Sequence, residues 1–84
     1  MDYIVNFRDH ESGKRTAGVV DLHTLGIFFA SMSPSERESL HIMQIITEKP
    51  EVMPRRLTWD AVGGKLWLYD CWGNFVDSVN YEEV

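Results

Sequence analysis

Two alternating segments, RRLTWDAV and KLWLYD, meet with only Gly63 and Gly64 between them. A glycine pair there suits a two-residue hairpin turn, whose central residues take positive φ angles that glycine tolerates. That turn fixes a pairing: Val62 opposes Lys65, Ala61 opposes Leu66, Asp60 opposes Trp67 and Trp59 opposes Leu68. A three-residue loop would shift the pairing by one and send Leu57, Trp59 and Ala61 to the opposite face. The two-residue version is preferred because it groups the aliphatic side chains. The next turn, DCWGN, reads as a type I turn followed by a bulge, with Asp70 at its first position and Gly73 left-handed. It leads into a third strand, FVDSVNY. Asp70 then opposes Asn74, Tyr69 opposes Phe75, Leu68 opposes Val76 and Trp67 opposes Asp77.

Pairing assigns faces, because side chains alternate along a strand. One face of this meander carries Leu57, Trp59, Ala61, Leu66, Leu68 and Val76, and is expected to meet helices. The other carries Arg56, Thr58, Asp60, Lys65, Trp67, Tyr69, Phe75 and Asp77, a mixture of aromatics and charges.

Upstream, DYIVNFRD alternates Tyr3, Val5 and Phe7 against Ile4, Asn6 and Arg8, a strand pattern. The polar stretch HESGKR supplies a turn and TAGVVDL a second strand, with Gly18 as the place for a bulge. Asp21 or Thr24 is positioned to cap a short helix through LGIFFASM. Ser33, Pro34 and Glu36 then form a capping box with the proline at the first helical position, where its missing N–H does no harm. A longer helix is expected through SERESLHIMQIITEK, with Leu40, Ile42, Met43, Ile45 and Ile46 on its apolar face. Arg37, His41, Gln44 and Glu48 lie opposite. Pro50 and Pro54 are expected to end it and bound a short linker. The resulting order is ββααβββ: an α+β domain, residues 1–84, with a mostly antiparallel sheet of about five strands and helices on one face.

The 84 residues suffice for one small domain, and 44% hydrophobic with 25% charged residues is a globular composition. The sequence shows neither a long apolar run nor a charged-then-apolar leader, so neither a transmembrane span nor a secretory signal is expected. A single cysteine, Cys71, forms no internal disulfide and fits a reducing, cytoplasmic setting. The net charge of −5 argues against binding a phosphate backbone. The carboxylates are spread along the chain without a block, which favours a solvated surface over imitation of nucleic acid.

No motif for catalysis, a metal or a cofactor is present. Cys71 has no histidine linked to it by a nucleophile signature. His10, His23 and His41 are 13 and 18 residues apart, which matches no ligand spacing. The chain is therefore expected to be a binding protein and not an enzyme. Its anchors would be Trp67, Tyr69 and Phe75 on the sheet face and Trp72 at the hairpin tip. Asp60, Asp70, Asp77, Glu82 and Glu83 would complement a protein partner with a basic surface.

In size and acidity, and in lacking an enzyme motif, the chain resembles the small phage-encoded inhibitors that block bacterial enzymes and defence complexes, anti-CRISPR proteins among them. Such proteins share no fold, so the resemblance carries over no residues. It implies occlusion of a nucleic-acid-handling or defence complex in a host cytoplasm, by a monomer or a homodimer. The alternative from a different class is a homodimer that sequesters a nucleotide or signal molecule by aromatic stacking.

Overall fold

Asp2–Arg8 (β1) and Arg15–Asp21 (β2) form the expected antiparallel hairpin, paired from Asp2 with Asp21 to Arg8 with Arg15. The structure, a computed structural model, describes residues 2–9, 11–45 and 55–81. Alternation sorts β1 as its sequence implies, burying Tyr3 and Val5. The ladder passes through the Val5–Gly18 pair without interruption, so Gly18 is not a bulge.

Helix α1, Leu22–Ser31, leaves β2 directly, with Asp21 as its cap: the Asp21 carboxylate accepts the Thr24 N–H at 2.7 Å. Leu25, Gly26 and Phe29 form its buried side. A Cβ at Gly26 would stand 2.9 Å from the Val79 side chain, so only glycine lets the helix approach the sheet this closely.

The capping box is present. Ser33 Oγ accepts the Glu36 N–H at 3.3 Å, and the Glu36 carboxylate accepts the Ser33 N–H at 3.0 Å. The long helix expected after it is not. Helix α2 ends after Pro34–Glu38, and His41–Ile45 forms a strand, β3, antiparallel to β1. The turn tightens at Ser39, where the Ser39 and Leu40 N–H groups reach back only three residues, to the carbonyls of Glu36 and Arg37. Ser39 Oγ also accepts the Arg8 N–H at 2.8 Å, tying the exit of α2 to β1. Beyond it the apolar residues satisfy a period of two as well as a helical one: Ile42 points inward and His41 and Met43 outward. Tertiary pairing decides the ambiguity. β3 satisfies the second edge of β1 and bridges it to β4, Arg55–Val62. His41 thus sits on a strand instead of on a helix's polar side. Ile46, Glu48, Pro50 and Pro54 lie outside the described residues.

β5, Lys65–Tyr69, and β6, Phe75–Asn80, complete a six-stranded antiparallel sheet in the order β2-β1-β3-β4-β5-β6. The α+β class holds, with one strand more than expected. The glycine turn has two residues, Gly63 and Gly64 at φ of 63° and 75°, and the β4–β5 register is the expected one throughout. On β6 the expected register holds for Tyr69 with Phe75 and then breaks at an irregularity beside Leu68 and Tyr69. Beyond it Leu68 faces Asp77 instead of Val76, Trp67 faces Ser78 instead of Asp77, and Leu66 faces Val79. The irregularity brings Val79 against the core, and Val76, expected there, packs against it as well.

Tyr3, Val5, Leu25, Phe29, Met32, Leu40, Ile42, Leu57, Leu66 and Leu68 form one buried cluster. Each large apolar side chain enclosed there contributes about 1.5–3 kcal/mol. α1 touches β1 and β2 at one end of the strand order and β6 at the other, so the sheet curls around the helix. Burial, helped by the Asp77 charge on the distant strand β6, raises the Tyr3 phenol above its ordinary pKa. Trp59 closes the cluster from β4. Its Nε1 donates to the Leu40 carbonyl at 3.1 Å and its ring meets Phe29 edge-on at 5.3 Å between centroids.

Candidate functional site

The outer face of the meander is set by the glycine turn. Because Asp60 faces Trp67 and Thr58 faces Tyr69, Trp67 and Tyr69 look away from the helices, and Phe75 joins them opposite Tyr69. The Trp67 and Phe75 rings meet edge-on at 6.0 Å. Trp67 Nε1 donates to the Val62 carbonyl at 3.3 Å, and the Lys65 ammonium lies 5.3 Å from its ring centroid. That cover leaves Trp67 half-buried, while Phe75 is 58% exposed. The described residues place no other element over these rings.

Trp72 stands at the tip of the β5–β6 turn and is 70% exposed, with the Arg55 guanidinium 5.7 Å from its ring centroid. The tip is held by Asp70. Its carboxylate accepts the Trp72 and Asn74 N–H groups, both at 2.9 Å, and the Asn74 side-chain amide at 3.3 Å. Gly73 sits at φ 81°, in the left-handed region the bulged turn requires. The Asn74 N–H above all, with the Trp72 N–H, the Asn74 amide and the Arg55 charge, holds the Asp70 carboxyl below its ordinary pKa. Asp70 is therefore engaged by its own loop. Cys71 beside it is exposed and free.

Of the residues singled out in the sequence, Trp67, Tyr69, Phe75 and Asp60 come together on one face, and Trp72 and Asp70 occupy the adjoining turn. Asp60 is exposed and its carboxylate accepts the Ala61 N–H at 2.9 Å. Asp77 leaves this group. The bulge sets it opposite Leu68, on the helix-facing side of the sheet, where its carboxylate accepts the Ser78 N–H at 2.8 Å. Glu82 and Glu83 lie outside the described residues.

The same outer face continues across β4 to β2, a half that the sequence reading missed. Ile4, Asn6, Ala17, His41, Met43 and Arg56 line a shallow groove of about 260 Å³ there, with Arg56 Nη2 3.0 Å from His41 Nδ1. The alternation in β1 already placed Ile4 and Asn6 on this side. Reading β3 as a helix hid Met43 and His41.

Among the described residues no three histidine, cysteine, aspartate or glutamate side chains gather as a metal site, and no helix is long and apolar enough to cross a membrane. Comparisons with protein-family models, with curated proteins and with solved structures return no match.

Proposed function

We propose that this chain is a small protein-binding inhibitor or adaptor that docks through the outer face of its C-terminal meander. The observation that carries the reading is the Trp67–Phe75 ring pair, with Phe75 58% exposed, and the 70% exposed Trp72 at the adjoining turn, on strands whose other face is already committed to the core. Large exposed apolar patches on small proteins mark interaction sites, and tryptophan is the residue most enriched among binding hot spots. Lys65 and Arg55 lie against two of these rings, so the face itself is not acidic. Attraction to a basic partner comes instead from the net charge of −5 together with Asp60 and the tail acids Glu82 and Glu83. Charge of that kind orients and speeds encounter while the aromatics supply the affinity. A nucleic-acid-handling or defence complex offers such a basic surface, and occlusion of it, as by the phage-encoded inhibitors, is the mode of action we assign.

The test is a comparative capture from the native host using wild type, Trp67→Ala and Trp72→Ala, each first checked for an unchanged circular dichroism spectrum. A protein retained by wild type and lost by both variants supports the face. Equal retention by all three removes it.

A second reading, a homodimer that sequesters a small molecule, draws on the neighbouring groove, where Arg56 and His41 offer polar contacts to an anionic group beside Ile4 and Met43. Its volume is below the roughly 300–1,000 Å³ usual for small-molecule sites, which makes it the weaker reading. A nucleotide that raises the melting temperature of wild type but not of Arg56→Ala would favour it.

A further inference from the structure

The sheet ends in two edge strands, β2 and β6, and they are defended differently. Edges in soluble proteins are kept from pairing by bulges, inward-pointing charges, prolines or very short strands. β6 has the first two of these: the irregularity beside Leu68 and Tyr69, and Asp77 opposite Leu68 on the helix-facing side. β2 has none of them. Its seven residues, RTAGVVD, pair with β1 without a break and are exposed from Arg15 to Val19, with Val19 itself 62% exposed. α1 reaches only the end where Val20 is half-covered.

The hairpin also opposes like charges at both of its ends. Arg8 faces Arg15, and Asp2 faces Asp21. Like charges directly opposite on neighbouring strands are destabilising. One end of the β2 edge is therefore basic and the other acidic, an arrangement complementary to itself when the strand is reversed.

We propose that β2 pairs with β2 of a second copy of this chain, antiparallel, about a two-fold axis at Gly18. Keeping both α1 helices on one side of the joined sheet restricts the register to pairings centred on a residue. Centred on Gly18, Arg15 of each copy faces Asp21 of the other, Thr16 faces Val20 and Ala17 faces Val19. The Arg8–Arg15 pair then abuts the Asp21–Asp2 pair of the second copy, twice, and both exposed Val19 side chains gain cross-strand neighbours. Centring on Ala17 sets Arg15 against Val19, and centring on Val19 sets Asp21 against Ala17, so both lose the ion pairs. The interface is isologous and closes on itself, joining two six-stranded sheets into one. It does not depend on what the aromatic face binds.

Crosslinking reads the register directly. In a Cys71→Ser background, which removes the native thiol, Gly18→Cys is expected to form a disulfide-linked dimer under mild oxidation, because residue 18 meets its own copy on the axis. A Cβ there meets nothing within 4 Å, so the substitution is accommodated. Thr16→Cys in the same background is expected to stay uncrosslinked, since its own copy lies about 13 Å away along the strand. Sedimentation equilibrium of the full chain is expected to show a reversible dimer whose dissociation constant rises about tenfold in Arg15→Glu, where both ion pairs become repulsive. The proposal is overturned if wild type sediments as a monomer up to millimolar concentration, if Arg15→Glu leaves the dimer unchanged, or if Thr16→Cys crosslinks as readily as Gly18→Cys. The sedimentation result decides the matter on its own should Gly18→Cys fail to fold.

Discussion

Trp59 and Trp72 belong to the same three-stranded meander, yet they serve opposite ends of the molecule's chemistry. Trp59 has its indole N–H on the Leu40 carbonyl and its ring against Phe29, in contact with the buried cluster. Trp72 has one cation beside its ring and solvent around the rest. Composition treats them alike. Their difference comes from register: an inward position on β4 is fixed by a glycine turn, whereas the tip of the next hairpin lies beyond any strand face. One tryptophan therefore holds the fold, and the other is free for use outside it.

The comparison breaks first at Trp59→Ala. That substitution empties space beside Phe29 and orphans the Leu40 carbonyl, and is expected to lower the unfolding free energy by about 3 kcal/mol in urea denaturation. A loss below about 1 kcal/mol would place Trp59 with the surface residues. Next is Gly26→Ala on the inner side. Alanine favours a helix by up to about 1 kcal/mol over glycine, but its methyl would stand 2.9 Å from Val79. Overpacking is expected to win by about 1 kcal/mol, and the sign should reverse in a Val79→Ala background, which removes the colliding methyls.

Acid titration sharpens the outer side. The Asp70 carboxyl is held below its ordinary pKa by the turn, and the Asp21 carboxyl by Thr24 at the α1 cap. Both carboxylates contribute stability that is fully present above the unfolded value, near pH 4, and lost as the pH falls through the lower folded values. Asp70→Asn is therefore expected to melt below wild type at pH 6, with the gap narrowing toward pH 2. A gap that widens with acid would contradict the turn's account. The smallest effect belongs to Trp72→Ala, expected to stay within about 0.5 kcal/mol of wild type in the same urea series.

Legibility followed the same division. The β4–β5 register was readable because Gly63 and Gly64 allow one common turn and the grouping of Leu57, Trp59 and Ala61 selects it. The capping box at Ser33 and the cap at Asp21 were readable because they depend only on neighbouring residues. The segment after Glu38 was not. Leu40, Ile42, Met43 and Ile45 fit a helix or a strand, and what decides is the open edge of β1, some 35 residues earlier in the sequence. The bulged turn at Gly73 was readable from DCWGN, but the further irregularity beside Leu68 and Tyr69 had no local signal, and it carries Asp77 from the aromatic face to the helix side. The groove between Ile4 and Arg56 was lost with β3.

Arg37 tethers α2 from its middle. Its Nε donates to the Phe29 carbonyl at 3.1 Å near the end of α1, and its guanidinium lies over the Phe29 and Tyr81 rings at 4.3 and 5.2 Å. None of the five residues of α2 is buried, while Met32 and Leu40 on either side of it are. The segment is thus a short bridge pinned at both ends and clipped once in the middle. Releasing that clip exposes little apolar surface, so the amides of residues 35–39 should exchange with solvent by local opening, long before those of β1 and β5.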